Sequence, residues 1–205
     1  MYTIKETELN AHTYIITRFD RAMLIDPSAS YEDIMRIVEA RSIDGILITH
    51  AHSDHVHSIH LFNCPVYVSA HDAALLFMDE YNGYYPKKAP YKRKDLNIVI
   101  VENQMKIPFA DQTIECISIP GHTKGSMGYL YMNQLYSGDV IFYDDVGRHD
   151  LYSGSPVQLK HSVETILKLS PQTKVYPGHG KQATVRDLKN TNPYVQKWFN
   201  KQRQK

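Results

Sequence analysis

Thr49-His50-Ala51-His52-Ser53-Asp54-His55 places three imidazoles and a carboxylate within six consecutive positions, directly after the apolar run Ile46-Leu47-Ile48. Gly45 followed by ILIT reads as a buried strand, so the polar cluster falls at a strand end. Loops there can gather alternate side chains and leave a coordination position open. Imidazole nitrogen and carboxylate oxygen suit zinc and other borderline first-row metals. His50 and His52 point the same way if the loop stays extended, and Asp54 and His55 can serve a neighbouring metal.

Further along, three more ligand-type residues each follow a predicted strand: His122 in PGHTKGS, Asp139 in YSGDV and His179 in YPGHG. Gly121, Gly125, Gly138, Gly178 and Gly180 flank them and permit tight turns that aim a side chain into a cleft. With 11 histidines in the chain, any one alone would read as an ordinary loop residue. Four sites in the same context form a coherent set. His12, His57, His60, His71, His149 and His161 are assigned no role, and His57 and His149 fall nearest the cluster.

The surrounding chain alternates strands and helices. YTIKETEL, HTYIITRF and AMLIDP read as a β-meander; Ser30 and Asp33, followed by Ile34, Ile37 and Val38, as a capped amphipathic helix. A short helix through Ile59 and Leu61 comes next, then a strand PVYVSA and a helix opening HDAALLFM. NIVIVE, TIECISIP, MGYLYM, QLYSGD and KVYPGH read as strands, VQLKHSVETILKL as a helix, and helical stretches begin again at Val185. Residues 80–94 (EYNGYYPKKAPYKRK) lack periodicity and read as a long surface loop. Periodicity supports an α/β fold with one domain over residues 1–205.

Composition bounds the partners. A net charge of +1 over 205 residues makes neither a nucleic-acid surface nor an acidic partner obligatory. No apolar run approaches the roughly 18 residues of a membrane span. The polar start MYTIKETELN lacks the features of a secretory signal, and Cys64 and Cys116 read as unpaired thiols in apolar stretches, so a cytoplasmic setting is expected.

HAHSDH, GHTKGS, SGD and PGHG resemble the metallo-β-lactamase superfamily, and within it the short glyoxalase II-like, or hydroxyacylglutathione hydrolase-like, branch. The resemblance runs over nearly the whole chain. It implies a four-layer αββα sandwich, two zinc ions per chain (iron or manganese being the other options) and a set of ligands. His50, His52 and His122 would hold one metal, Asp54, His55 and His179 the second, with Asp139 bridging. A bridging aspartate is a departure from zinc β-lactamases, and the histidine at His52, with no flavin domain, is a departure from diiron flavoproteins. The stretch VGRHDL (146–151) is similar to a GRTD-type stretch with His149 in place of threonine, and the resemblance makes Arg148 a candidate for holding an anionic group. The other reading of Arg148 is an ion pair with Asp150. Lys181, the other candidate for substrate binding, stands where two-domain relatives usually carry a tyrosine, and their helical C-terminal domain is missing.

The expected activity is thioester hydrolysis by a metal-bridging hydroxide, with Asp54 orienting it and accepting its proton. The alternatives are a mononuclear-iron persulfide dioxygenase using His50, His122 and Asp139, and a lactonase or RNA-processing nuclease of the same fold. The 80–94 loop, with Tyr81, Tyr84, Tyr85 and Tyr91 among Lys87, Lys88, Lys92, Arg93 and Lys94, offers a lid over a small anionic substrate. The same mixture would suit single-stranded nucleic acid, which the missing binding domain disfavours. Trp198-Phe199 is expected to dock the last helix, and NKQRQK (200–205) to form a disordered tail.

Overall fold

A computed structural model describes residues 1–5 and 11–199, the Arg93 side chain excepted. The tail 200–205 and the end of the first predicted strand lie outside these residues. The first half runs β1 (Tyr2–Lys5), β2 (His12–Arg18), β3 (Arg21–Ile25), α1 (Tyr31–Val38), β4 (Ser42–Leu47), α2 (Ser53–Val56), β5 (Pro65–Ser69), α3 (Ala70–Leu75), α4 (Asp79–Asn82) and β6 (Asn97–Val101). The second half runs β7 (Lys106–Phe109), β8 (Gln112–Ser118), β9 (Met127–Tyr131), β10 (Gln134–Gly138), α5 (Pro156–Leu167), β11 (Lys174–Pro177), β12 (Ala183–Thr184), α6 (Val185–Thr191) and α7 (Pro193–Phe199).

Each half builds one sheet, in the orders β1-β2-β3-β4-β5-β6 and β12-β11-β10-β9-β8-β7. The strand period of two sorts the side chains. In β2 and β3, Tyr14, Ile16, Met23 and Ile25 face the second sheet and meet Phe109, Ile114, Cys116, Tyr129, Tyr136 and Tyr176. Ile15, Ala22 and Leu24 face outward onto Ile34, Val38 and Leu75 of the first helical layer. Behind the second sheet, Leu135 and Val175 pack on Leu159, Val163 and Ile166 of α5 and on Leu188 of α6, with Trp198 and Phe199 against them. The layers are helix, sheet, sheet, helix, as the resemblance implies.

Local signals hold where the sequence carries them. Ser30 caps α1 by accepting from the Asp33 amide at 3.2 Å, and β1, β2 and β3 form the antiparallel meander. Strands β7 and β12, which the periodicity did not suggest, are short sheet edges. Cys64 is half-buried and Cys116 buried, both unpaired. Among the described residues no helix is long and apolar enough to cross a membrane.

The surface-loop reading of residues 80–94 is corrected. Asn82, Tyr84 and Tyr91 are buried, and both tyrosines belong to the apolar cluster beneath the first sheet. Asn82 Nδ2 donates to the Leu75 carbonyl at 3.0 Å, and the Tyr91 hydroxyl donates to that of Leu76 at 3.2 Å. The segment therefore satisfies the free carbonyls at the end of α3 and fills space beside it. Tyr81, Tyr85 and the lysines of this stretch stay exposed, as do Glu80, Gly83, Pro86 and Pro90. Tyr81 stacks on Tyr152, with ring centroids 4.2 Å apart.

Candidate metal centre

Strand direction brings the polar residues together. β3 to β6 run parallel, as do β10 and β11, so the C-terminal ends of β4, β10 and β11 open on one edge of the sandwich. Hydrogen bonds pin those ends: between the sheets the Met127 amide donates to the Thr49 carbonyl at 2.8 Å, and within the second sheet the Gly178 amide donates to that of Gly138 at 3.0 Å. Close approach sets residue size here. A Cβ on Gly178 would lie 2.1 Å from Asp139 Oδ1 and 2.5 Å from His55 Cε1.

Two groups of donors result. Nitrogens of His50, His52 and His122 lie within 4.8 Å of one another, as do ligand atoms of Asp54, His55 and His179. Asp139 sits between the groups. Its Oδ2 is 3.3 Å from His179 Nε2 and 3.8 Å from His122 Nε2, and its Oδ1 is 3.4 Å from His55 Nε2. All seven sequence-predicted ligands thus converge.

The outward nitrogens are fixed by their surroundings. His122 Nδ1 donates to the Arg148 carbonyl at 2.7 Å, and His55 Nδ1 to Asp26 Oδ2 at 2.9 Å. Thr49 Oγ1 gives its proton to Asp26 Oδ2 at 2.6 Å and so accepts from His50 Nδ1 at 3.1 Å. Each of these imidazoles therefore turns its Nε2 into the cleft, the arrangement that metal-binding histidines need. His50 Nε2, His52 Nε2 and Asp139 Oδ1 are buried with no hydrogen-bond partner among the described residues. Such groups are costly unless a ligand meets them. The donor set fits divalent cations on both counts.

Electrostatics agree. Burial holds the His50 imidazole well below its ordinary range and pushes His52 down to about 4, so both are neutral lone-pair donors. Burial opposes ionisation of Asp139, but His55 and His179 outweigh it and hold the carboxyl well below its usual range. For His179, burial opposes protonation while Asp139 and Asp54 raise it, to about 10. A field that attracts a proton this strongly attracts a cation for the same reason.

A model of the metallo-beta-lactamase superfamily matches residues 7–179. The chain belongs to the metallo-β-lactamase superfamily. A probable metallo-hydrolase from Methanocaldococcus jannaschii is 30% identical to it over 186 residues, covering 83% of this chain and 88% of that one. A hydroxyacylglutathione hydrolase from Shewanella loihica is 34% identical over 137 residues, 67% of this chain and 48% of that protein. Among solved structures, a di-iron-bound protein, TTHA1623, superposes with TM-score 0.83 at 28% identity, covering 95% of this chain and all of that one. The B3 metallo-β-lactamase BLEG-1 matches with TM-score 0.83 at 27% identity, covering 95% and 98%. Superfamily membership and the His/Asp cluster make this a metal-binding hydrolase of the metallo-β-lactamase fold.

Within that superfamily fold, both candidate substrate residues, Arg148 and Lys181, are engaged by neighbours. The Arg148 guanidinium pairs with Asp150 through Nε and Nη2 at 3.1 and 3.0 Å, both side chains being exposed. The Lys181 ammonium lies 3.5 Å above the Tyr143 ring. The sequence reading missed the Arg148 main chain, which orients His122, and it missed Asp26. Asp26 ends an apolar strand just as the ligands do, and that shared position was the available signal. Its Oδ1 also accepts from the Thr49 amide at 2.8 Å.

Proposed function

We propose that this metallo-hydrolase is a binuclear thioesterase of the hydroxyacylglutathione hydrolase type. The observation that carries the binuclear reading is Asp139, set between two three-residue donor groups with its Oδ2 3.8 Å from His122 Nε2 of the first and 3.3 Å from His179 Nε2 of the second. His50, His52 and His122 would hold one cation, Asp54, His55 and His179 the other, and Asp139 would touch both. Zinc suits this nitrogen and carboxylate set, with iron the main competitor. When bound, the pair supplies a water of lowered pKa and polarises the carbonyl.

The chain's own residues do the rest. Asp54 is a second-group ligand whose side chain keeps 30% exposure, and its Oδ2 lies 3.2 Å from His179 Nε2. Burial opposes its ionisation, yet His55 and His179 keep it charged below the ordinary carboxylate range. It therefore orients the attacking water, takes its proton at Oδ2 and passes it to the departing thiolate. Arg148 would exchange Asp150 for an anionic group on the substrate, and Lys181 would face the same substrate from the side of His179. Thioesters are favoured over other hydrolytic substrates by the 34% identity to a hydroxyacylglutathione hydrolase over two thirds of the chain.

The test pairs elemental analysis of protein purified without chelator with turnover of S-lactoylglutathione and simple thioesters. About two zinc ions per chain with thioester turnover is the expected result. Loaded protein that leaves every thioester untouched while opening a lactone or cleaving RNA overturns the substrate class. A single iron with oxygen uptake on a persulfide replaces hydrolysis by dioxygenation.

A further inference from the structure

Among the described residues, three acidic side chains occupy the third position of a helix behind a Ser or Thr cap, and two of them do the ordinary thing. Asp33 in α1 accepts from its cap, Ser30 Oγ, at 2.8 Å. In α6, Asp187 Oδ2 accepts from the Thr184 amide at 2.9 Å and from its hydroxyl at 2.7 Å, completing a reciprocal cap. Both are exposed.

Asp72 in α3 starts from the same local pattern. Its amide donates to Ser69 Oγ at 3.3 Å. Its side chain, however, is turned inward at 1% exposure and serves two distant loops. Oδ2 accepts from the Ala51 amide at 2.8 Å, and both oxygens lie 3.0 Å from the donating Thr123 hydroxyl. The Gly125 amide is a further donor. A Cβ at Gly125 would lie 2.2 Å from Asp72 Oδ1, so the glycine is what admits the carboxylate.

The residues held are informative. Ala51 lies between His50 and His52, and Thr123 follows His122. Both Ala51 and Thr123 are fully buried. One carboxylate thus spans the two loops that carry the first donor group and touches nothing of the second. A buried carboxylate costs several kcal/mol unless it is fully hydrogen-bonded. Here three donors meet it, the Ala51 amide, the Thr123 hydroxyl and the Gly125 amide, and all three belong to those two loops.

We infer that Asp72 is a positioning residue for the cation site of His50, His52 and His122: its carboxylate sets the spacing between the His50–His52 loop and the His122 loop so that three imidazole nitrogens converge. The inference rests on the ligand reading above and is independent of the substrate. Asp26 does the corresponding work for His55, and reaches His50 through Thr49.

The experiment is a titration of the chelator-stripped full chain with Co2+, followed by visible absorbance and calorimetry, for wild type, Asp72→Asn and Thr123→Val. An asparagine keeps the volume but turns an NH2 toward groups that are themselves donors. Asp72→Asn is expected to weaken one of two binding steps by about 10- to 100-fold, the range typical of groups that orient metal-binding residues. The other step is expected to stay within about threefold. In a His50→Ala background the same substitution should add little, which assigns the weakened step. Thr123→Val removes the hydroxyl's bonds to Asp72 and Ser126 but leaves the carboxylate in place, and is expected to weaken the same step by roughly three- to tenfold, keeping the test open should Asp72→Asn not fold. Equal weakening of both steps, or of neither, in a wild type that binds two ions overturns the inference alone. A wild type that binds no ion removes the ligand reading and the inference together.

Discussion

Two polar regions lie between the same pair of sheets and are built on opposite terms. In the interior, tyrosines fill the space, and the hydroxyls of Tyr14, Tyr129 and Tyr136 each find a main-chain or side-chain partner. Tyr14 donates to the Pro177 carbonyl at 2.5 Å, Tyr129 to that of Ile48 at 2.9 Å, and Tyr136 to Gln134 Oε1 at 3.0 Å. At the rim, His50 Nε2, His52 Nε2 and Asp139 Oδ1 are buried and unmatched. The regions are joined, since Ile48 and Pro177 immediately precede the ligand segments. Satisfied groups inside make the strand ends rigid, and rigid ends hold unsatisfied groups in a geometry that a cation completes. The difference teaches where the fold keeps its bonding capacity for a partner.

The sharpest way to break this contrast is to disturb the rim alone. Asp139→Asn and Gly178→Ala are each expected to lower cation content and to cut turnover by on the order of 10^3-fold. Elemental analysis and steady-state rates check it, and near-wild-type turnover in either variant would mean that Asp139 does not join the two groups. A milder probe leaves the sequence intact. Adding zinc to stripped protein at about 100 times its dissociation constant should raise the unfolding free energy by about 2.7 kcal/mol, with far-UV circular dichroism unchanged. Loss of secondary structure on stripping would show instead that the interior depends on the rim.

Where the two regions meet, pH is the lever. Burial pushes His12 down to about 4, Lys5 and His179 adding repulsion. Its Nδ1 lies 3.0 Å from the Tyr14 hydroxyl, and its amide donates to the Gly178 carbonyl at 2.8 Å. The unfolded chain takes up a proton near 6.5, and the folded chain resists it down to about 4. The stability that neutral His12 confers is therefore complete above pH 6.5 and lost as pH falls toward 4. The stability difference between wild type and His12→Asn should shrink by roughly 2 kcal/mol from pH 7 to pH 4.5, read by urea unfolding at each pH. A pH-independent difference would place His12 outside the linked network. The smallest effect belongs to the interior: Tyr136→Phe should cost about 1 kcal/mol and leave cation binding unchanged. Altered cation affinity in that variant would erase the distinction between the regions.

Much of this was legible in the linear chain. HAHSDH announces itself because four ligand-type residues in six positions have no common structural use, and His122, Asp139 and His179 follow apolar runs that can only be strands. Asp26 and Asp72 were not legible. Each has an ordinary local reading, a strand end for Asp26 and a helix cap for Asp72, and only the packing of other elements against them reveals the inward turn. Tyr84 and Tyr91 escaped for a related reason. A segment without periodicity reads as surface, yet two tyrosines pack into the core, and Asn82 and Tyr91 bond to carbonyls left free at the end of α3.

The sequence by itself determined most of the strand and helix order, an α/β class and the identity of the seven ligand-type residues, because alternation of apolar side chains and clustering of imidazoles are properties of neighbours along the chain; the αββα layering followed from the family resemblance of its motifs. Tertiary structure alone decided which oxygen of Asp139 faces which imidazole, that Asp26 and the Arg148 carbonyl orient the histidines, and that Asp72 spans two loops. Those contacts join residues from 21 to 51 positions apart for the aspartates' bonds to Ala51, Thr49, His55 and Thr123. Pairings at such range follow from how the sheets stack, which no local pattern encodes.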